Sequence, residues 1–330
     1  MIYYLNKLKK HIKNKINFYL FQKLFQDLIL PFILKKIKAI KDKKLSLFLL
    51  QDLKVNHRNA QRYASRGRIF DENLNTLKPS DKIPTEYINM AVFEGISRGL
   101  KPLIEFEEFA IFDKPTHLMV HPISKSTPYS LLDEIRFHFG ENANLIHRID
   151  AETSGLVIVG KNKKSEKTLK DMFEEKKYHK SYLALVDGKL EKEVVIDSKL
   201  EKEGKNIGVR MKAGDTGKES CTTIKPMIYN EEKNITLVEA LPVTGRQHQI
   251  RKHFSAQMHN LVGDEKYADR TVNSVFRRKY KFYRIFLHSY MLNFKHPFTG
   301  EQVSLKSPLA PVCHTIVKDL FDFDLADISK

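Results

Sequence analysis

Apolar residues recur at helical spacing near the start of the chain: Ile16, Tyr19, Leu20 and Leu24 before Pro31, and Ile33, Ile37 and Ile40 after it. That spacing predicts helix on both sides of the proline. No glycine occurs before Gly67, which favours the same assignment. A further helix is expected from Asn56, a good cap, to Ala64, turning at Gly67 into a short strand, Arg68 to Phe70. From about residue 101 the pattern changes. Phe109-Ala-Ile-Phe is a continuous apolar run closed by Asp113-Lys-Pro, which predicts a strand ending in a turn. Leu156 to Val159, Tyr182 to Val186 and Thr236 to Val243 read as strands. Ser165 opens a helix in which Leu169, Met172 and Phe173 form a stripe at i, i+3 and i+4.

Strand and helix patterns do not alternate strictly, and no glycine-rich phosphate loop or repeat interrupts them. The expected fold is therefore α+β, a largely antiparallel mixed sheet with flanking helices and a central cleft. A small basic α+β module is expected ahead of it. The divisions are residues 1–50 (a basic helical extension), 51–100 (the module) and 101–330 (the main body).

At 42% hydrophobic and 29% charged residues, the chain has the composition of a globular protein, not a disordered one. Charge sharpens the division. Residues 1–68 hold 17 Lys and Arg against 3 Asp, a net +14 of the chain's +17. A basic front ahead of a nearly neutral body predicts a polyanionic partner, nucleic acid first and a membrane surface second. Residues 16–34 are apolar, but Lys23, Asp27 and Pro31 interrupt them, so no spanning helix or cleaved leader is expected. An amphipathic helix lying on a membrane is the form that reading could still take. The two cysteines, Cys221 and Cys313, lack zinc-site spacing and form no disulfide framework, which fits a reducing cytoplasm.

Two segments could carry chemistry. His147-Arg-Ile-Asp-Ala-Glu-Thr-Ser-Gly places Asp150 in a Thr/Ser/Gly turn before a strand, with Arg148 two residues earlier. In an extended segment Arg148 and Asp150 would share a face. On local chemistry alone, the stronger reading is that Asp150 merely satisfies backbone donors. Gly245-Arg-Gln-His-Gln-Ile-Arg follows a strand; if helical, it puts Arg246, Gln249 and His253 on one face and His248 and Arg251 on another. No nucleophile elbow or HExxH metal motif occurs, and no metal is expected.

The blocks taken in order resemble RluA-type pseudouridine synthases. They are Phe112-Asp-Lys-Pro, His121-Pro, the His147–Gly155 block, Lys180-Ser-Tyr-Leu-Ala-Leu-Val, the Gly245–Arg251 block, Gly263-Asp, Leu287-His and Phe294-Lys-His-Pro. Departures from the family pattern are Ile149 for Leu, Gln247 for Thr, and Thr116-His117 for a small-Gly pair. The resemblance implies isomerisation of uridine in RNA to pseudouridine. It implies Asp150 as the catalytic aspartate, Arg251 as its ionic partner, Tyr182 as the tyrosine at the target base, and Arg148 as the side chain filling the place of an extruded base. It implies an RNA contact for Arg246, and for His147 either an RNA contact or packing alone. The chemistry rearranges one glycosidic bond, so no cofactor is expected. Asn59-Ala-Gln-Arg, Ser65-Arg-Gly-Arg-Ile and Pro79-Ser-Asp-Lys-Ile resemble the alpha-L RNA-binding fold of a ribosomal small-subunit protein, with Arg62, Arg66 and Arg68 as RNA contacts. Large-subunit ribosomal RNA is the expected substrate, acted on by a cytoplasmic monomer with no membrane partner. Transfer RNA is the alternative substrate; a non-catalytic ribosome-assembly factor is the alternative from another class.

Overall fold

The computed structural model describes residues 32–93, 95–122, 127, 129–200, 217–268 and 270–322. The expected helix over Ile16 to Leu24 lies outside them. The described residues fall into two compact units, the first from the segments up to Gly99 and 122–141, the second from 100–121 and 142 onward.

In the first unit, strand β1 (Phe32–Lys38) pairs antiparallel with β3 (Tyr87–Phe93), which also pairs with β2 (Ile69–Phe70). This corrects the helix expected across Ile33, Ile37 and Ile40. A spacing of four satisfies a period of two as well as one of 3.6, so the apolar pattern alone does not separate strand from helix here. Leu45, Phe48 and Leu49, from the helical turns Leu45–Leu47 and Phe48–Asp52, share one core with Ala60, Ile69 and Ile88. Packing is thus continuous across residue 50, where a division was expected. Helix His57–Ser65 begins as read: the Asn59 amide donates to Asn56 Oδ1 at 2.9 Å. Gly67 (φ +59) turns the chain into β2.

The second unit is built on a ten-stranded sheet, with β4 (Ile104–Glu105), β5 (Phe109–Lys114), β6 (Asn144–Leu145), β7 (Ser154–Gly160), β8 (Tyr178–Asp187), β9 (Val194–Leu200), β10 (Lys218–Asn230), β11 (Ile235–Pro242), β12 (Leu287–Lys295) and β13 (Gln302–Lys306). The path is β4-β5-β7-β12-β8-β11-β10-β9, with β13 on β12 and β6 on β7. β7 and β12 run parallel and the other paired strands antiparallel, so the sheet is mixed and largely antiparallel as expected. The all-buried run of β7 is what a strand covered on both faces requires. One face packs Phe109, Ile111, Leu156 and Ile158 against Leu169 and Met172 of helix Lys163–Glu174. That helix starts two residues earlier than expected: Asn162 is its cap, and Ser165 completes a reciprocal capping box. A second core joins Leu183, Leu185 and Leu237 to Phe276, Phe282 and Phe286. Among the described residues no helix is long and apolar enough to cross a membrane.

Candidate active site

Three neighbouring strands set the site. In register, Ser289 of β12 stands beside Tyr182 of β8 and Gly155 of β7. Gly155 (φ +105) must be glycine, since a Cβ there would stand 2.2 Å from the Ser289 carbonyl oxygen. That close approach brings the turn preceding β7 up against β12. The turn closes through the Thr153 amide to the Asp150 carbonyl at 3.2 Å, while Ile149 is buried beneath it.

From the other direction, β11 ends at Pro242 and a loop leads to helix Gln249–Ala256. The helix begins later than the sequence spacing implied. Arg246 precedes it and His248 (φ +52) is its left-handed entry residue, so of the first expected face only Gln249 and His253 are helical, both hydrogen-bonded to Thr222 Oγ1. Gln249 fixes the loop. Its Nε2 donates to the Cys221 carbonyl and to Thr222 Oγ1, both at 2.9 Å, and its Oε1 accepts from Thr244 Oγ1 at 2.6 Å and the Arg246 amide at 3.0 Å.

These segments line a cleft of about 310 Å³ with Arg148, Asp150, Lys180, Tyr182, Arg246 and Arg251 on its walls. Asp150 Oδ2 lies 3.6 Å from Arg251 Nη1, and Asp150 Oδ1 lies 3.9 Å from His248 Nε2. Arg251 is 5% exposed, and its strongest partner is another carboxylate. Nε and Nη2 donate to Asp264 at 2.7 and 2.9 Å, a bidentate pair, while Nη1 reaches Glu152 at 3.4 Å. Burial pulls the Arg251 pKa down, but the Asp264 contacts outweigh it and raise it. The cation is permanent. Tyr267 lies 5.2 Å from the guanidinium and shares a 2.9 Å hydrogen bond with His248 Nδ1.

Tyr182 is buried, and burial raises its pKa, with Asp150 acting in the same sense and a Ser289 hydrogen bond opposing. Lys180 is pushed down to about 8 by burial. Behind the Asp150 turn lies Lys114, from Phe112-Asp-Lys-Pro. Its Nζ donates to the carbonyls of Pro115, Leu118 and Ala151 at 2.8, 2.8 and 3.0 Å. Burial pulls it down to about 7, opposed chiefly by Glu152. His117, where the family pattern has glycine, adopts φ +61 in that turn.

Asp150, Tyr182, Arg251, Arg148 and Arg246 are thus brought to one cleft. Arg246 Nε donates to the Glu219 carbonyl at 3.0 Å. His147 is placed otherwise. Its ring stacks on Phe173, with centroids 5.0 Å apart, and Nε2 accepts the Ile158 amide at 3.2 Å. Burial lowers its pKa to about 3, and the neutral ring packs here on Phe173. Arg66 is exposed and Arg68 partly buried in the first unit, and the Arg62 side chain lies outside the described residues. Asp264 and Lys114 were missed as site residues although their motifs were recognised. Among the described residues no group of three or more His, Cys, Asp or Glu could hold a metal.

Comparison with known proteins gives one consistent result. A family profile described as RNA pseudouridylate synthase matches residues 108–256. An uncharacterized RNA pseudouridine synthase of Helicobacter pylori is 34% identical over 298 residues, covering 88% of this chain and 100% of that protein. A tRNA pseudouridine synthase C of Vibrio parahaemolyticus is 31% identical, over 64% of this chain and 90% of that one. A ribosomal large subunit pseudouridine synthase C of Haemophilus ducreyi is 32% identical, over 66% and 68%. The solved structure of human RNA pseudouridylate synthase domain containing 1 shares the fold, with a TM-score of 0.54 and 22% identity over 70% of this chain and 93% of that one.

Proposed function

This chain belongs to the RluA-type RNA pseudouridine synthase family, and we propose that it isomerises specific uridines of large-subunit ribosomal RNA through Asp150. The observation that carries the reading is one carboxylate at the cleft wall, 17% exposed, beside an arginine that a second carboxylate immobilises. The Asp150 carboxylate faces that cation at the cleft wall, where it can attack the nucleoside or stabilise charge near the sugar. Because Asp264 holds Arg251 from behind, the cation meets Asp150 in one orientation without reorganising during the reaction.

The remaining side chains follow from the same geometry. Pseudouridine forms when the glycosidic bond to N1 breaks, uracil turns within the cleft, and C5 rejoins the sugar while its proton leaves. Tyr182 presents an aromatic face to the base. Its raised pKa keeps it a phenol, suited to stacking and hydrogen bonding; tyrosinate chemistry would have to overcome the cost of a buried anion. A base inside folded RNA must be flipped out first, and exposed Arg148 at the cleft is the side chain to occupy the gap. The exposed Arg66 and its neighbours Arg62 and Arg68 would hold RNA by its phosphates. We place the enzyme in the cytoplasm, acting as a monomer.

Asp150→Asn retains shape and removes the anion. It is expected to abolish pseudouridine formation while RNA affinity stays within a few-fold. Substantial turnover by that variant would end the assignment. The relative of Vibrio parahaemolyticus named for tRNA supports a second reading, in which transfer RNA is the substrate. Mapping pseudouridine in both RNA classes, with and without this gene, separates them: a site lost from ribosomal RNA supports the first, and one lost from transfer RNA alone the second.

A further inference from the structure

Asn273 lies on helix Arg270–Tyr280, outside the cleft lining, and is 3% exposed. Both ends of its amide are used on one turn. Oδ1 accepts the Gly263 amide at 2.7 Å, and Nδ2 donates to the Asp264 carbonyl at 3.1 Å. The same turn also packs against a second backbone segment. Gly263 (φ +82) lies so close to the Arg284 carbonyl that a Cβ there would stand 1.8 Å from its oxygen. The Gly263–Asp264 turn is therefore held by the Asn273 amide and meets the Arg284 carbonyl. The Asp264 carboxylate leaving this turn takes the Lys266 and Tyr267 amides on Oδ1, at 2.9 and 3.2 Å, as well as both donors of Arg251.

We propose that Asn273 is a positioning residue for the isomerisation. By holding the backbone on both sides of Gly263–Asp264 it aims the carboxylate that aims Arg251, and through Arg251 it sets the cation facing Asp150. The inference rests on the roles of Asp150 and Arg251 proposed above. Asn273 touches neither cleft nor substrate, so its loss moves the guanidinium without removing any group that meets RNA. A displacement of well under 1 Å in a group 3.6 Å from Asp150 suffices, since small misplacements of positioned groups lower turnover steeply.

The test is a double-mutant cycle on the full chain, with unmodified large-subunit ribosomal RNA and transfer RNA transcripts as substrates. Asn273→Ala is expected to lower kcat about tenfold with KM within about twofold. In an Asp264→Asn background the same change should cost less than about twofold, because the link it acts through is already broken. Equal losses in both backgrounds, or a lowered Tm with kcat unchanged, would mean that Asn273 serves only the fold and would overturn the inference. Asn273→Asp guards against an alanine variant that does not fold. It retains size and the acceptor for Gly263 but turns an oxygen toward the Asp264 carbonyl, so kcat should again fall. Wild-type kcat in that variant overturns the inference as well. Asp150→Asn, run in parallel, separates the two levels. If it is active, the reading of the site fails; if it is inactive while both Asn273 variants turn over normally, only the positioning role fails.

Discussion

Arg251 divides one guanidinium among three carboxylates, with its short bonds going to Asp264 and its longer reach to Glu152 and Asp150. A lysine is a point charge and cannot hold Asp264 at two atoms while facing Asp150. Arg251→Lys should therefore lower kcat by about 100-fold with RNA binding little changed, the scale expected when a positioned group is misplaced. Near-normal single-turnover rates would remove Arg251 from the mechanism. Its place beside Asp150 was legible in the sequence because both residues sit in matched blocks. Asp264 was quoted in such a block and given no role. No spacing rule marks a carboxylate 13 residues along that returns through a loop wedged on Arg284. Lys114 escaped for a similar reason, since its three acceptors are carbonyls and a sequence does not display carbonyl directions.

Helix Lys163–Glu174 shows local signals agreeing with the fold. Asn162 caps it, Ser165 answers, and Leu169 and Met172 bury the facing stripe. Asn162→Ala should cost about 1 kcal/mol, read as a Tm lower by a few degrees; an unchanged Tm would mean the cap bond contributes nothing net. Segment Phe32–Lys38 shows the opposite. Its isoleucines fit a helix or a strand, and pairing with Tyr87–Phe93, some fifty residues away, decides the matter. The helix, the Gly67 turn and the strand after it were readable because cap and turn chemistry is local. If that module grips RNA, changing Arg62 and Arg66 together to Ala should flatten the plot of log affinity against log salt by about one to two units of slope. An unchanged slope would put the phosphate contacts elsewhere. Point changes suit this test better than deleting the front of the chain, because residues 122–141 pack in the same unit and would lose their partners.

For the whole molecule, two buried histidines, His253 and His288, and the half-buried His147 set an acid response. Burial holds His147 near 3 and His253 and His288 near 4, against 6.5 when unfolded. All three are neutral in the fold and take up protons on unfolding once the pH drops below about 6.5. The unfolded chain then binds more protons, so stability falls as pH drops from 6.5 toward 4, by up to about 1.4 kcal/mol per pH unit for each histidine. Asp113 and Asp133, whose pKa values burial raises, act in the opposite sense over the acid end of that range. Tm should decline between pH 6.5 and 4.5, and less steeply in His253→Gln; a flat profile would contradict the buried neutral state.

The strand order carries one more consequence, for the timing of synthesis. β12 (Leu287–Lys295) lies between β7 and β8, yet it leaves the ribosome more than a hundred residues after Gly160 and about a hundred after Asp187. Until it arrives, the nascent sheet has a gap at its centre, flanked by the edge of β8 and the Ser154–Gly155 end of β7, unpaired edges of the kind that recruit other chains. Closing that gap brings Ser289 against Gly155 and Tyr182 in the same event. A chain ending short of residue 287 would lose the middle of its sheet and not merely a margin. A newborn chain would have no assembled cleft until Leu287–Lys295 had emerged.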